Sequence, residues 1–534
     1  MKFKRLKIAG IFFLLFINST ATLKAQNSQK EEVSKIFNDY FQLSEPGATI
    51  AVVKNGAAIY KESFGMAILE HNIPIKSNTV FELGSVAKQF TGHGIAILLQ
   101  QGQINLLDDI KKYIPELPNY GVKISIEDLL HHKSGLMDQY ALLLYSGYRD
   151  GDVMTKEDVM NAILGENQLD YLPGEHYTYN NSNYRLLAEI IQRVSKKSFP
   201  QFMKDNIFTP LKMSNTQFSE DCEKVIKNTA SSYYQFDDTT YNKFSFSTCT
   251  VGSSGLWSTI EDMTKWLHYL GRLDATDSPL LKWIQKGSQL NDGTPVNYGF
   301  GFEIDSYENQ KLIYHNGVMA GFNSQVYYFP KHSLGIVILS NNDNLSYDLA
   351  NQVASVYLKD ILPKEVGVEK KKTTKIIAPK KPIALNKNVV KKYLGDYIFN
   401  NGDVISFKVK NGAFYRSMKG RKDIQLLPIS STKFYYENRE HIEIDFSKSK
   451  NGKANEFKFY NRGRLALTAG RLMNESEKDL KKYEGSYAHN KLNIHVSIFF
   501  DKGQLMITHF KYGTSTLNFS SKKGLFTRSV FWLN

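Results

Sequence analysis

Two strand-rich segments, separated by a long and mostly helical middle, constrain the fold of this chain more than any other feature. The first segment, GATIAVVKNGAAIYKESFGMA at 47–67, contains Asn55-Gly56, which predicts a tight hairpin because both residues tolerate positive φ. The second segment, between residues 300 and 342, contains four runs typical of antiparallel strands: FGFEIDS, KLIYHNG, NSQVYYFP and LGIVILSNN. We expect one α+β domain in which both segments share an antiparallel sheet, flanked by helices and a helical subdomain.

The N-terminus has the pattern of a secretory signal peptide. A basic stretch, MKFKRLK, precedes a short apolar stretch, IAGIFFLLFI, and small residues then lead to a cleavage site after Ala25. The apolar stretch is too short for a membrane span. The cleavage site has no cysteine near it, so we do not expect a lipid anchor. We expect residues 1–25 to be removed and the mature protein to be secreted or periplasmic, without a transmembrane segment.

The C-terminal third predicts a linker and an internal repeat. Residues 363–388 carry three prolines and many lysines without apolar periodicity, which is typical of a linker. Beyond it, VVKKYLGDY at 389–397 recurs as DLKKYEGSY at 479–487, and alternating apolar runs follow both copies. We predict two all-β, barrel-like units at 389–475 and 476–534, of which the second is shorter.

Composition narrows the choice of partners. The net charge of +14 lies mostly after residue 360, but the chain carries no dense Lys/Arg stripe and no nucleic-acid-binding motif, so we expect no nucleic-acid partner. Cys222 and Cys249 are the two cysteines, and spacing alone leaves open whether an exported protein would pair them. No His/Cys cluster accompanies them, so we expect no metal site and no cofactor.

A serine and a lysine at helical spacing are the first candidates for chemistry. In FELGSVAKQF, Ser85 and Lys88 lie three positions apart at the start of a long apolar helix, and this spacing places them on one face. A lysine among apolar residues can have a lowered pKa and act as a base for the hydroxyl. By itself the pair is weak evidence, because Ser430 and Lys433 share the spacing by chance.

Two later segments add to this pair. Tyr179 and Asn181 lie in a polar loop, HYTYNNSNY, before an amphipathic helix, where a phenol can shuttle a proton and an amide can hold a substrate amide. In KLIYHNGVMAG, His315, Gly317 and Val318 end a predicted strand, where the Val318 N–H can join that of Ser85 as an oxyanion donor. The alternatives are a packed tyrosine cluster and a surface histidine.

Taken together, the three motifs resemble those of the penicillin-recognising serine hydrolases. The resemblance covers about residues 35–360, within a predicted domain at 26–362, and is nearest to the branch of class C β-lactamases, D-alanyl-D-alanine carboxypeptidases, D-aminopeptidases and esterases. It implies a β-lactamase/transpeptidase-like domain, and the C-terminal repeat is similar to the lipocalin-like barrels of some members. Its implied roles are Ser85 as nucleophile, Lys88 and Tyr179 as acid and base, and Asn181, His315, Gly317 and Val318 as substrate and oxyanion contacts.

The third motif departs from the β-lactamase pattern. Where those enzymes have lysine and then threonine or serine, this chain has His315 and Asn316, which puts carboxylate recognition and efficient penicillin turnover in doubt. We therefore expect a hydrolase of D-amino-acid peptides, amides or esters, with a small-molecule or cell-wall peptide as substrate. The alternatives are a small-ester esterase, a weak β-lactamase, and a penicillin-binding or cell-wall-binding sensor without turnover.

Overall fold

The computed structural model divides into two compact units, Met1–Lys364 and Glu365–Asn534, and each is described by itself. The predicted signal peptide lies outside the described residues, and so does nearly all of the predicted linker. The structure describes residues 27–148, 152–235, 240–244, 248–346, 348–359, 382–383, 387–399, 404–418, 421–437, 439–446, 453–461, 464–473, 480–489, 494–509, 513–520 and 526–528.

The first unit combines strands at both ends of its sequence with helices between them. Its strands are β1 Ala48–Lys54, β2 Ala57–Phe64, β3 Met66–Ile68, β4 Ile73–Pro74, β5 Phe81–Glu82, β6 Gln217–Phe218, β7 Tyr233–Gln235, β8 Tyr241–Lys243, β9 Leu256–Ser258, β10 Ser288–Gln289, β11 Pro295–Val296, β12 Tyr298–Gly299, β13 Phe302–Tyr307, β14 Gln310–Met319, β15 Phe322–Phe329 and β16 Leu334–Ser340. Its α-helices are α1 27–40, α2 Ala87–Gln100, α3 Ile126–Leu130, α4 Gln139–Tyr145, α5 Lys156–Gly165, α6 Asn181–Ser195, α7 Phe199–Met203, α8 Ile260–Ala275, α9 Pro279–Ile284 and α10 Leu349–Leu358.

Seven of these strands form one antiparallel sheet in the order β12-β13-β14-β15-β16-β1-β2. The first and last strands of the unit are neighbours, with Ala48 opposite Ser340 and Lys54 opposite Leu334. Asn55 has φ 50° and forms the predicted hairpin between β1 and β2. The predicted α+β fold, with an antiparallel sheet shared by the two ends of the domain and flanked by helices, is confirmed.

One face of the sheet packs against the first and last helices of the unit. Val33 and Phe37 of α1 and Val353 of α10 join Ile50 and Ile336 of the sheet in one buried apolar cluster. Burying an aliphatic or aromatic side chain of this size contributes roughly 1.5–3 kcal/mol. The sheet is therefore anchored on this face by apolar contacts, and the functional groups described below lie elsewhere.

A disulfide joins Cys222 and Cys249, whose Cα atoms are 5.2 Å apart. The sequence had left this pairing open because the two cysteines lie 27 positions apart and spacing carries no information on proximity. Cys249 also donates its backbone N–H to the carbonyl of Met154 at 2.9 Å. The disulfide and this hydrogen bond fix Cys249, and with it the start of the segment that follows.

The second unit is all-β. It contains a short helix, α11 Lys387–Val390, and the strands β17 Gly395–Phe399, β18 Val404–Lys410, β19 Ala413–Met418, β20 Arg421–Pro428, β21 Lys433–Tyr436, β22 Arg439–Phe446, β23 Glu456–Asn461, β24 Arg464–Met473, β25 Gly485–His489, β26 Ile494–Asp501, β27 Gln504–His509, β28 Gly513–Ser520 and β29 Phe526–Arg528.

The first eight strands of this unit close into an antiparallel barrel, because β17 pairs with both β18 and β24. Aromatic side chains fill its interior, among them Phe407, Phe434 and Phe446. The remaining five strands continue from the barrel through the pairing of β24 with β28. Gly395 and Gly485, ninety positions apart, begin the corresponding strands β17 and β25, as the internal repeat predicts.

Two further findings concern membrane-spanning helices and metal sites. Within the described ranges, no helix combines the length and the apolar character that a membrane crossing requires. The same part of the chain contains no group of three or more His, Cys, Asp or Glu side chains arranged to hold a metal ion.

Candidate active site

Ser85 lies in a single 3₁₀ turn, Gly84–Val86, that connects β5 to the start of α2. Gly84 has φ 50°, and a Cβ atom at this position would lie 2.7 Å from the carbonyl oxygen of Val318. Only glycine therefore allows the turn to lie against the backbone of β14. This contact brings Ser85 next to the third motif, although the two segments lie far apart in sequence.

Lys88 is fully buried in the first turn of α2 and has three oxygen neighbours. Its Nζ lies 3.1 Å from Ser85 Oγ, 2.9 Å from Asn181 Oδ1 and 2.9 Å from the carbonyl oxygen of Ser253. A carbonyl oxygen can only accept a hydrogen bond, whereas a hydroxyl can also donate one. When Lys88 is neutral, its two N–H groups satisfy Asn181 and Ser253, and its lone pair is left to face the Ser85 hydroxyl.

Burial favours this neutral form. Desolvation lowers the pKa of Lys88 to about 7, and the attraction of Asp138 opposes the shift without cancelling it. A substantial fraction of Lys88 is therefore unprotonated near neutral pH. The geometry and the pKa together make Lys88 a suitable base for Ser85.

Asp138 determines how Asn181 faces the lysine. Its Oδ2 accepts from the backbone N–H of Asn181 at 2.6 Å and from the side-chain Nδ2 at 3.0 Å. Because the amide nitrogen is bound to the carboxylate, the amide oxygen is the atom that faces Lys88. Asn181 begins α6, and Asp138 is the N-cap of α4, so two helix starts meet at the site.

The Tyr179 side chain is buried beside both Ser85 and Lys88. The Lys88 Nζ lies 4.8 Å from the centre of the Tyr179 ring. Burial raises the pKa of Tyr179 well above its ordinary value, and an interaction with the Ser85 hydroxyl opposes that rise. Among the described residues the buried Tyr179 hydroxyl has no hydrogen-bond partner of ordinary geometry. Tyr179 is therefore a proton donor at neutral pH, while Lys88 is the better base.

The end of β14 offers a backbone donor next to Ser85. Strands β13 and β14 are joined by a two-residue turn, so Tyr307 and Gln310 form a hydrogen-bonded pair and Gln310 directs its N–H and C=O toward β13. The pairing of the two strands ends at Glu303 opposite Tyr314. Because this pattern alternates, Val318 directs its N–H and C=O to the same side as Tyr314, where β13 has already ended. The Gly84 backbone occupies that side. The N–H of Val318 thus faces the Ser85 turn.

Gly317 is needed for the same approach. A Cβ atom there would lie 1.9 Å from the carbonyl oxygen of Leu83, so any other residue would push β14 away from the Ser85 turn. The Val318 side chain is 46% exposed on the other face of the strand, which leaves the strand end accessible to a substrate.

His315 is buried and neutral. Its Nδ1 donates to the carbonyl of Asn316 at 2.6 Å, since a carbonyl can only accept, and its Nε2 therefore accepts from the Tyr298 hydroxyl at 3.0 Å. Burial and the nearby Lys88 lower the pKa of His315 to about 3. The histidine carries no positive charge at neutral pH, unlike the lysine of β-lactamases at the corresponding place in the motif.

The structure also places at the candidate site four residues that the sequence did not predict there: Asp138, Ser253, Tyr298 and His132. His132 accepts the backbone N–H of Asn180 at 3.1 Å through Nδ1, and its ring centre lies 4.5 Å from that of Tyr179. His132 lies in HHKSGL, a segment outside the three motifs that carry the family resemblance. Ser253 contributes a main-chain carbonyl, so its side-chain type gave no signal.

Comparisons with known proteins show which family and which relatives the chain is similar to. Residues 33–356 match the family model described as Beta-lactamase. Penicillin-binding protein 4* of Bacillus subtilis is 25% identical over 437 residues, which cover 79% of this chain and 94% of that protein. Protein flp of Staphylococcus aureus is 28% identical over 59% of this chain and 64% of its own length.

Solved structures share the fold. The octameric penicillin-binding protein homologue from Pyrococcus abyssi aligns with a TM-score of 0.53 and 22% identity, covering 84% of this chain and 99% of that one. The D-amino acid amidase from Ochrobactrum anthropi aligns with a TM-score of 0.53 and 20% identity, covering 62% of this chain and 99% of that one.

Proposed function

The chain belongs to the beta-lactamase family, whose members are mostly serine hydrolases, and from this premise we propose that it hydrolyses amides or esters through an acyl-enzyme on Ser85. The observation that carries the proposal is the position of the buried Lys88 Nζ, 3.1 Å from Ser85 Oγ, with its other two hydrogen bonds made to carbonyl oxygens. A lysine in this setting can remove the serine proton, and a serine needs such a base to become nucleophilic.

The proposed reaction has two acyl-transfer steps. Lys88 takes the proton of Ser85 as its oxygen attacks the substrate carbonyl, and the N–H groups of Ser85 and Val318 receive the negative charge on the carbonyl oxygen. The neutral phenol of Tyr179 donates a proton to the leaving nitrogen or oxygen. Water then attacks the acyl-serine with the same groups in reverse order, which releases the acid and restores Ser85.

The neutral His315 supports a preference within this class. Some relatives have a lysine at the position of His315, and that lysine binds the carboxylate of a penicillin or of a peptide C-terminus. Here the imidazole has a pKa of about 3 and accepts a hydrogen bond from Tyr298, so it offers no positive charge. We infer that D-amino-acid amides, D-peptides without a free carboxylate at this site, and esters are the better substrates.

We also propose that the substrate is met outside the cytoplasm, because the N-terminal sequence has the pattern of a signal peptide. A cell-wall peptide or a related small molecule fits this location. For the C-terminal β units we propose binding of cell-wall material.

A substrate panel on the mature protein, residues 26–534, tests the proposal. We expect a chromogenic ester and D-alanyl amides to be turned over, and a D-alanyl-D-alanine amide to react at least about tenfold faster than the same peptide with a free carboxylate, since a hydrogen bond to a charged group is worth about 1.5–3 kcal/mol. The variant Ser85→Ala should lose turnover of every substrate. Ser430→Ala, which has the same spacing to a lysine, Lys433, is the matched control and should behave as wild type.

Three outcomes would contradict parts of this proposal. Turnover that survives Ser85→Ala would show that the nucleophile is wrong. Labelling of Ser85 by a fluorophosphonate without turnover of any substrate would indicate a sensor instead of an enzyme. Equal rates on the substrates with and without a free carboxylate would remove the inferred role of His315.

A further inference from the structure

Glu82 is a buried carboxyl group that the proposed mechanism does not use. It lies in β5, three positions before Ser85, and only 6% of its surface is exposed. Strand β5 pairs with β9, where Trp257 lies opposite Glu82, and the next residue, Leu83, donates its N–H to Leu256 at 2.9 Å. A charged carboxylate is costly in such a place unless a cation compensates it, and no cation acts on Glu82 among the described residues.

Glu82 lies beside the segment that precedes β9. The backbone N–H of Gly255, the residue before β9, is close enough to oppose the rise in the pKa of Glu82. Tyr140, in α4, is close enough that a charge on Glu82 would raise the pKa of the phenol, and its hydroxyl lies 3.4 Å from Ser254 Oγ. Glu82 and Tyr140 thus lie beside two successive residues of one short segment, Gly255 and Ser254.

That segment, Thr250–Gly255, is called here the wall segment, and all six of its residues are buried. The hydroxyl of Thr91 donates to the carbonyl of Gly252 at 2.8 Å, and the carbonyl of Ser253 accepts from Lys88 at 2.9 Å. The wall segment therefore supplies one of the two carbonyls that direct the lone pair of Lys88. If the wall segment moves at Gly255, the carbonyl of Ser253 shifts as well, and the lone pair of Lys88 is no longer directed at Ser85.

We propose that Glu82 is a positioning residue that, only while protonated, holds the wall segment against Lys88, so that loss of its proton ends catalysis at alkaline pH. For its activity readout this inference rests on the proposed function. A protonated carboxyl group is neutral and can stay buried beside Gly255, whereas an ionised one must leave its buried site or draw in water. Both responses displace the wall segment.

The titration range supports the proposal. Burial raises the pKa of Glu82 to about 8, and the Gly255 N–H opposes the rise only in part. The titratable group that faces Glu82 from α4 is Tyr140, whose pKa is raised to about 12, and Lys88 on α2 has a pKa of about 7. Activity should therefore rise as Lys88 loses its proton and fall as Glu82 loses its own.

The first test is the dependence of kcat/KM on pH, between pH 5.5 and 9.5, with a chromogenic ester or amide that the wild type turns over. The wild type should give a bell-shaped profile. Glu82→Gln, which imitates the protonated carboxyl group, should keep the rising limb and lose the fall, exceeding the wild type by about tenfold at pH 9. Glu82→Asp should keep a fall, and Glu31→Gln, the same change at an exposed position, should leave the profile unchanged.

A fall in Glu82→Gln with the same midpoint as in the wild type would assign the alkaline limb to another group and overturn the proposal. A second readout needs no substrate. Because the pKa of Glu82 is higher in the folded protein than in the unfolded chain, the folded state keeps a proton that the unfolded state has lost, and stability must fall as pH rises from about 4.5 to 8. The melting temperature should therefore drop more between pH 5 and 8 in the wild type than in Glu82→Gln.

Equal drops in melting temperature would show that Glu82 is not held as a buried proton carrier, and the proposal would fail even if the protein were active. Conversely, if no substrate is turned over at all, the proposed function fails while the melting experiment still tests the placement of Glu82. The two failures are thereby distinguishable.

Discussion

The two units of this protein each bury a cation, and the contrast between them shows what makes a buried charge useful. Lys88 of α2 is fully buried, and Arg471 of β24 is 9% exposed. Both side chains are surrounded by oxygen atoms from distant parts of their own unit. Neither forms a salt bridge with a carboxylate among the described residues. Only one of them, however, is placed to move a proton.

Arg471 is nearly buried, and its side chain has four hydrogen-bond partners in the second unit. Its guanidinium donates to the carbonyls of Leu394 at 2.7 Å and Lys392 at 2.9 Å, and also to the carbonyl of Ala454 and the hydroxyl of Tyr397. An arginine does not lose its proton in proteins, and its planar group suits several fixed acceptors. Arg471 is therefore a structural link between β24 and the chain before β17.

Lys88 differs in residue type and in one neighbour. Its side chain can lose a proton, and burial lowers its pKa to about 7. One of its three neighbours is the Ser85 hydroxyl, which can donate as well as accept, whereas Arg471 donates mainly to carbonyls. The comparison teaches that burial creates a base only where the residue can become neutral and a donor faces it.

Removing the lysine should give the largest effect. Lys88→Met keeps the length and shape of the side chain but has no base, so we expect kcat to fall about 10⁴-fold, within the range for general bases and their nucleophiles. Stability should change by less than about 2 kcal/mol, because the lost hydrogen bonds and the removed buried charge act in opposite directions. Ester hydrolysis and urea unfolding check the two statements. Retained activity in this variant would remove Lys88 from the mechanism.

Removing the arginine should show the opposite pattern. Arg471→Met leaves several buried carbonyls without donors, so we expect the second unit to lose about 3 kcal/mol of stability while small-ester hydrolysis in the first unit persists. Unfolding monitored by limited proteolysis within residues 365–534 measures the loss. The control Lys433→Met removes a partly exposed ion pair with Asp445 and a 5.7 Å contact with the Tyr460 ring, and should cost less than about 1 kcal/mol. An equal cost in both variants would mean that Arg471 is no more than a surface contact.

A smaller change should move the pH range of the base. Asp138→Asn removes the negative charge that opposes the lowered pKa of Lys88, and its amide oxygen can still accept from the Asn181 N–H. We expect the rising limb of the pH profile, near pH 7 in the wild type, to shift downward by about one unit. Asp292→Asn, at an exposed position, is the control. An unshifted limb would mean that a group other than Lys88 controls it.

Much of the fold could be predicted because its signals are local. Turn residues predict the Asn55-Gly56 hairpin, and alternation of apolar and polar residues predicts strands β13 to β16. The repeated sequence predicts that β25 corresponds to β17. The disulfide could not be predicted in the same way, because it depends on where two loops meet in space.

In the candidate site, too, the contacts between residues near in sequence could be predicted and those between distant residues could not. Ser85 and Lys88 share a helix face, so their proximity follows from the i, i+3 spacing. Asp138 gave no signal because it contacts the site through Asn181, 43 positions later, and Ser253 contributes only its backbone. The neutral state of His315 was also unpredictable, since it follows from burial and from a hydrogen bond with Tyr298.

The amino-acid sequence by itself determined the elements of this protein, the order of its motifs and the identity of the groups that could react, because helix and strand periods and turn chemistry are set by neighbouring residues. Only the tertiary structure decided which of those groups carry protons. Lys88 is neutralised by burial and directed by oxygens 93 and 165 positions downstream, and a pKa depends on such desolvation and contacts, which no local pattern encodes.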